Sequence, residues 1–143
     1  TNLPDQLTLI DPLNISHTIN PNTTGFLIQK KAELVYPTLK KFIENQEIGK
    51  AKEALHSLVG LFFWKWSQGI DDNDPLIRTN YGFLGTTAIQ IDVGPLSKAV
   101  TEQNKKEQIE KITASLKFWL TENAPELIAD LDRELLEHLS SME

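Results

Sequence analysis

The stretch IGKAKEALHSLVGLFFWKWS, residues 48–67, decides the predicted fold of this chain. Its apolar residues recur every three or four positions, which is typical of an amphipathic helix packed on a core. These residues are Ile48, Ala51, Leu55, Leu58, Val59, Phe62, Phe63 and Trp66. Gly69 follows at the position where a left-handed residue often ends a helix, so we expect the helix to stop there.

An acidic loop is predicted directly after this helix. Its sequence, GIDDNDPLIRTN over residues 69–80, ends in an asparagine. Three carboxylates lie in it, at Asp71, Asp72 and Asp74. Taken alone, such residues most often form a solvated turn, because Asp and Asn side chains bond to nearby backbone N–H groups. The loop therefore indicates chemistry only in combination with the segment after it.

A short β-hairpin is predicted after the loop. Residues 83–92 alternate weakly between apolar and polar, and Gly85-Thr86-Thr87 is a suitable turn. Such a hairpin brings Asn80 and Asp92 to the two sides of one small ribbon. Amide and carboxylate oxygens are ligands that Mg²⁺ prefers in proteins. The pattern therefore predicts that Asn80 and Asp92 lie on one rim, where the oxygen ligands of a magnesium site can be placed.

A loop aspartate completes the expected site. Phosphoryl transfer benefits from a carboxylate that orients the attacking hydroxyl group. Asp72 and Asp74 are both candidates for this catalytic role, and the sequence leaves the choice between them open.

Helices are predicted on both sides of the hairpin. Residues 24–45 have an approximate apolar stripe that Pro37 bends or restarts, and residues 97–122 form a helix with one polar face. The sequence Asn123-Ala-Pro-Glu126 predicts the start of a last helix. The asparagine can cap this helix, and the proline suits its first turn. The apolar face of that helix is expected to be Leu127, Ile128, Leu131, Leu135, Leu136 and Leu139.

The predicted architecture is mainly α, within the α+β class. Prolines and Asx residues near the start favour an irregular arm over residues 1–23, with one short strand. Residues 24–143 are expected to form a single helical domain with one small hairpin between its two halves. A chain of 143 residues is long enough to bury most of its apolar surface in one domain.

Composition excludes several functional classes. The net charge of −6 argues against a nucleic-acid groove and against a basic membrane-binding face. The absence of cysteine excludes disulfides, thiolate nucleophiles and cysteine-based zinc sites. No apolar run approaches the 18 or so residues of a membrane-spanning helix. We therefore expect neither a nucleic-acid nor a membrane partner.

The order of helix, acidic loop, asparagine, hairpin and Asp-Val-Gly resembles the C-terminal lobe of the protein-kinase-like fold, including the aminoglycoside-phosphotransferase branch. In that superfamily a long helix leads to a catalytic loop with Asp and Asn, and a hairpin then ends in Asp-Phe-Gly or a similar triplet. Asn80 matches the metal-binding asparagine, and Asp92-Val93-Gly94 matches the metal-binding triplet. The resemblance covers roughly residues 25–143, although only residues 69–94 carry the motif.

A narrower resemblance rests on two short segments. The sequences QKKAELVY at residues 29–36 and NYGF at residues 80–83 are similar to uncharacterised kinase-like proteins of intracellular bacteria. This resemblance implies a cytoplasmic protein, or one that is delivered into a host cell.

The chain departs from the family pattern in two ways. The family's loop opens with His-Arg-Asp or His-Gly-Asp, with the Asp five residues before the Asn, whereas Pro75 holds that position here. The sequence also has no glycine-rich phosphate loop and no recognisable strand lysine paired with a helix glutamate. We therefore expect ATP and Mg²⁺ to bind only together with a missing N-terminal lobe. This chain alone is expected to be an inactive fragment, or a degenerate relative of the pseudokinase type.

These departures also support a second hypothesis, a non-catalytic helical protein-interaction domain. It predicts an exposed apolar patch, or self-association that buries about 1,000 Å² or more. Trp64 and Trp66 are two residues apart and cannot share one helix face, so one of them is a candidate contact residue. The alternative is that Trp64 covers a neighbouring helix or the N-terminal arm.

Overall fold

A computed structural model describes most of the chain, in two compact units, Thr1–Lys30 and Lys31–Glu143. The described residues are 4–26, 29–72, 74–92, 96–97 and 102–140, with the backbone alone for 71, 96–97, 102–106 and 108. Helices predominate in the described part and all strand pairs are short and antiparallel, which confirms the predicted mainly α fold within the α+β class. No helix in this described part is long and apolar enough to cross a membrane.

The first unit contains a β-hairpin, formed by strands β1 (Leu7–Ile10) and β2 (Ser16–Ile19). The carboxylate of Asp11 organises its turn, because Oδ1 accepts hydrogen bonds from the backbone N–H groups of Leu13 and Ile15, both at 2.9 Å. The expectation of an irregular arm with one strand is therefore wrong. The second strand was missed because the side chain that closes the loop makes contacts that composition does not reveal.

The second unit contains five helices and five short strands among its described residues. The helices are α1 (Val35–Glu44), α2 (Ile48–Ser67), α3 (Ile77–Asn80), α4 (Glu102–Asn123) and α5 (Ile128–Ser140), with a 3₁₀ turn at Pro125–Leu127. The strands are β3 (Glu33–Leu34), β4 (Asp71–Asp72), β5 (Tyr81–Leu84), β6 (Thr87–Gln90) and β7 (Leu96–Ser97). Strand order in the larger sheet is β3-β5-β6, and β4 pairs with β7.

Helix α2 is the centre of the core and has the predicted bounds. It packs against α1, α5 and β6. Its end is a Schellman motif, in which the N–H of Gly69 bonds to Trp66 O at 2.9 Å and the N–H of Ile70 bonds to Lys65 O at 3.0 Å. Gly69 has φ of +69°, so the predicted left-handed stop is confirmed.

The predicted hairpin is confirmed as β5 and β6, with β5 beginning at Tyr81. Gly85 has φ of +67° and opens the two-residue turn. Strand β3 adds to the free edge of β5 and comes very close to it at Gly82. A Cβ atom at Gly82 would lie 2.5 Å from the carbonyl oxygen of Glu33, so this contact requires glycine.

Two predicted helix starts are wrong. Helix α1 begins at Val35 instead of residue 24, because Glu33–Leu34 is extended and pairs with β5. Pro37 is the third residue of α1 and begins no kink, since the first turn needs no N–H there. Helix α4 is described from Glu102, whereas the predicted start at residue 97 lies in β7; residues 98–101 lie outside the described part.

The link from α4 to α5 also differs from the prediction. Asn123 is the last residue of α4, and its Nδ2 donates to Trp119 O at 2.8 Å instead of capping the next helix. Pro125 does occupy the first position of the following 3₁₀ turn, as predicted. Leu136 and Leu139, predicted on the apolar face of α5, are exposed by 67% and 41%, so neither belongs to the buried core.

Candidate functional site

The predicted site residues fall into two adjoining groups at the end of α2. The buried cluster consists of Lys65, Asp72, Tyr81 and Gln90. Its members come from the last turn of α2 and from β4, β5 and β6. Tyr81 and Gln90 face each other across the β5–β6 ladder, which brings both side chains to one end of the hairpin.

Lys65 is the centre of the buried cluster. Its Nζ donates to Asp72 Oδ2 at 2.7 Å, to the Tyr81 hydroxyl at 2.8 Å and to Gln90 Oε1 at 2.8 Å. These three bonds use all the donors of an ammonium group. Only 4% of Lys65 is exposed, so its charge depends on Asp72 for compensation.

Asp72 is equally enclosed. Its Oδ2 accepts hydrogen bonds from Lys65, from Tyr81 and from Gln90 Nε2 at 3.0 Å. Burial by itself raises the pKa of this carboxyl group, but the hydrogen bonds from Lys65 and Tyr81 and the lysine charge outweigh it, so the pKa lies below its ordinary value. Asp72 is therefore ionised, although only 3% of the residue is exposed.

Tyr81 completes the enclosure of Asp72. It is fully buried, and its ring packs against Phe62 in a T-shaped arrangement, with 5.0 Å between ring centroids. Its pKa lies far above the ordinary value, first because of burial and then because its hydroxyl donates to the charged Asp72. The phenol stays protonated and acts here as a hydrogen-bond donor to the carboxylate.

The second group, the loop edge, consists of Asp74, Asn80 and Asp92. Asn80 is buried, and its Nδ2 donates to Asp74 O at 2.8 Å and to Asp74 Oδ2 at 3.3 Å. Its Oδ1 accepts a hydrogen bond from Thr79 at 2.8 Å. Asp74 itself is exposed. The asparagine therefore holds an accessible carboxylate in a fixed position.

Asn80 and Asp92 lie side by side in the backbone. The carbonyl oxygen of Asn80 accepts hydrogen bonds from the N–H of Ile91 at 2.8 Å and of Asp92 at 3.4 Å. Asp92 is exposed, so its carboxylate is accessible to a cation from solvent. The remaining two residues of its predicted triplet, Val93 and Gly94, lie outside the described part.

The loop edge offers only a few side-chain oxygens that could bind a metal ion. Across the described residues, no three His, Cys, Asp or Glu side chains are arranged to hold a metal. Two carboxylates and one amide oxygen remain at this edge, and Mg²⁺ commonly takes one or two carboxylates and completes its shell with water. The metal roles of Asn80 and Asp92 stay predictions.

Three members of the buried cluster were missed in the sequence. Lys65 follows Leu58 by seven residues and Phe62 by three, which places it on the apolar face of the helix. A lysine at such a position needs a partner, and this signal was available. The partners themselves, Tyr81 and Gln90, come together only through the pairing of β5 with β6.

No protein-family model matches this chain, and comparisons with curated proteins and with solved structures found no significant match.

Proposed function

We propose that the helical unit is a kinase-like C-lobe, a separated or degenerate relative of an ATP- and Mg²⁺-dependent phosphotransferase. One observation carries the proposal, namely that Asn80 and Asp92 are backbone neighbours at the open end of the hairpin. The 20-residue helix α2 leads into this region through the acidic loop. This order of elements and this backbone contact support the proposed match to the superfamily's metal-binding asparagine and aspartate.

Asp74 is the better candidate for the carboxylate that orients a substrate hydroxyl. Asp72 already accepts hydrogen bonds from three side chains and is only 3% exposed. A group that orients a substrate must come within hydrogen-bond reach of it. Asp74 is exposed and is held by Asn80, so it meets this requirement.

Asn80 and Asp92 would hold Mg²⁺, with Asp74 beside them. When bound, Mg²⁺ supplies positive charge that neutralises phosphate oxygens. The residues of this chain contribute position: Asn80 fixes Asp74, while Gln90 Nε2 donates to Asp92 O at 3.0 Å and holds the backbone of the second ligand. ATP binding is proposed only in combination with an N-terminal lobe.

Titration of the ¹⁵N-labelled chain with Mg²⁺ tests the metal site. We expect the amide signals of Asp74, Asn80 and Asp92 to shift together, and Mn²⁺ to broaden the same signals selectively. Asp92→Asn should remove the response because it deletes a charged ligand. The matched control is Asp132→Asn, a half-exposed aspartate of α5 that pairs with Lys117, and it should keep the response.

Two results would overturn this proposal. One is a titration in which these signals do not respond at millimolar Mg²⁺. The other is a response of equal size in the Asp92→Asn variant, which would assign the binding to general surface charge.

Exposed apolar side chains favour the second candidate function, a non-catalytic interaction domain. Phe118, Leu136 and Trp64 are exposed by 74%, 67% and 56%. Trp64 therefore does not cover a neighbouring element to the extent expected from the sequence.

Sedimentation velocity over a wide range of concentrations tests self-association. A dimer that Phe118→Ser or Trp64→Ser dissociates supports this candidate, and a monomer throughout argues against self-association.

A further inference from the structure

A cleft of about 640 Å³ opens beside the start of α1. Its walls come from β3, α1, α3 and α4, and it lies entirely within the helical unit. The residues that matter most are Leu34, Tyr36, Pro37, Lys40, Arg78 and Trp119. Its volume is in the range of pockets that hold small molecules.

The cleft has a preformed aromatic wall. The rings of Tyr36 and Trp119 stack with 5.1 Å between centroids and 26° between planes. The Tyr36 hydroxyl is 3.1 Å from Ser115 Oγ, within hydrogen-bond distance, which ties α1 to α4. Leu34 and Pro37 add apolar surface beside these rings. A flat, apolar molecule can therefore pack here without first rearranging the wall.

Among the described residues that line the cleft, the two charged side chains are both cations, although the chain as a whole carries a net charge of −6. Arg78 is exposed and, among the described residues, forms no ion pair. Lys40 lies 3.7 Å from Glu44, but both side chains are mostly exposed, so this pair is weak. A guanidinium group presents a planar set of donors that matches a carboxylate or a phosphate.

We propose that this cleft binds a small amphiphilic anion. Its ring-bearing apolar body packs against Tyr36 and Trp119, and its carboxylate or phosphate group binds Arg78 with help from Lys40. This binding activity is separate from the proposed metal site, because it uses neither Asp74 nor Asp92. The two proposals are tested with different ligands and different variants, so the failure of one is distinguishable from the failure of the other.

Three probes with the same body test this site: naphthoate, naphthyl phosphate and the neutral naphthalenemethanol. Binding is measured by calorimetry and by the indole N–H signals of the three tryptophans. At least one anion should bind about tenfold or more tightly than the alcohol, as a charge-assisted hydrogen bond predicts. The signal of Trp119 should shift most. The relative affinities of the two anions identify the preferred head group.

Arg78→Gln should reduce the affinity for the anions to that for the alcohol, and Arg78→Lys should restore part of it. Arg133→Gln is the matched control, since it removes the same charge from an exposed side chain of α5, outside the cleft, and should leave binding unchanged. The proposal is overturned if charged and neutral probes bind equally, or if none of them binds. It is also overturned if Arg78→Gln and Arg133→Gln reduce the affinity for the anions by the same factor. Because Arg78 is exposed, these variants are expected to fold.

Discussion

Asp72 and Asp74 are two residues apart and chemically identical, yet they occupy opposite environments. Asp72 is 3% exposed and accepts hydrogen bonds from three side chains, including a charged lysine. Asp74 faces solvent, and the amide of Asn80 donates a hydrogen bond to its carboxylate. The buried carboxylate is suited to organising the protein, and the exposed one is suited to meeting a ligand. Environment separates these roles where residue type does not.

The two groups are nevertheless connected. Asp72 Oδ1 accepts the backbone N–H of Asp74 at 3.1 Å, and Gln90 Nε2 bonds to Asp92 O at 3.0 Å. The buried cluster therefore positions both carboxylates of the loop edge through their backbone. A variant can change ligand binding without changing stability only if it leaves these two hydrogen bonds intact.

The largest effect on the unfolding free energy is expected from Lys65→Met, because this variant leaves the buried charge of Asp72 without its partner. Removing one member of a buried ion pair typically costs about 3–5 kcal/mol of unfolding free energy. Urea unfolding followed by circular dichroism measures the loss. Lys52→Met is the control, because its pair with Asp130 at 3.0 Å involves a half-exposed lysine and should cost about 1 kcal/mol or less.

A double variant keeps this test informative if Lys65→Met fails to fold. Lys65→Met combined with Asp72→Asn removes the uncompensated charge, so it should be more stable than Lys65→Met alone. Equal losses in Lys65→Met and Lys52→Met would show that the buried pair has no special role.

An intermediate effect is expected from Tyr81→Phe, which keeps the ring and removes one hydrogen bond to Asp72. The expected loss is about 1–2 kcal/mol, since the carboxylate is then under-satisfied in the core. Tyr36→Phe is the matched control, because the other tyrosine bonds to Ser115 near the surface and should cost less. A larger loss for Tyr36→Phe in urea unfolding would contradict the assignment of Tyr81 to the organising group.

The smallest effect is expected from Asp74→Asn, which should change the unfolding free energy by about 0.5 kcal/mol or less.

The dependence of stability on acid pH distinguishes Asp72 from Asp74 further. Because folding lowers the pKa of Asp72 below its ordinary 3.8, its ionised form stabilises the protein above that pH, and this contribution is lost as pH falls through the folded value. Asp74→Asn should therefore lose stability in acid as the parent does, whereas Asp72→Asn should lose less.

Unfolding free energies at pH 6 and in progressively more acidic buffers measure this difference. Asp11 and Asp130 also have lowered pKa values, mainly through hydrogen bonds from His17 and Lys52 respectively, so Asp72→Asn should retain part of the acid response. An acid response that follows Asp74 instead of Asp72 would reverse the roles assigned to the two carboxylates.

Local patterns predicted the parts of the fold that depend on neighbours in sequence. Helix α2 follows from its apolar period, its end follows from Gly69, and the hairpin follows from a turn of small residues. Strand β3 was missed because its partner β5 lies nearly 50 residues further along the chain. Extended pairing of this kind overrides a weak helical pattern.

The site was only partly predictable for a related reason. The sequence identified the loop aspartates as a set, but it could not rank Asp72 against Asp74, because the ranking depends on which one meets Lys65. That lysine belongs to a residue type that is usually exposed. Its place on the apolar face of α2 was the one local sign that a carboxylate had to be buried nearby.

The two-residue turn of the hairpin has a practical consequence. Thr87 is exposed beside that turn, three residues from the end where Gln90 joins the buried cluster, which is a separation of about 10 Å along the strand. Since the sequence contains no cysteine, Thr87→Cys would create a unique thiol for a fluorophore or spin label. A label at this position could report distances to the site without altering any of its acidic residues.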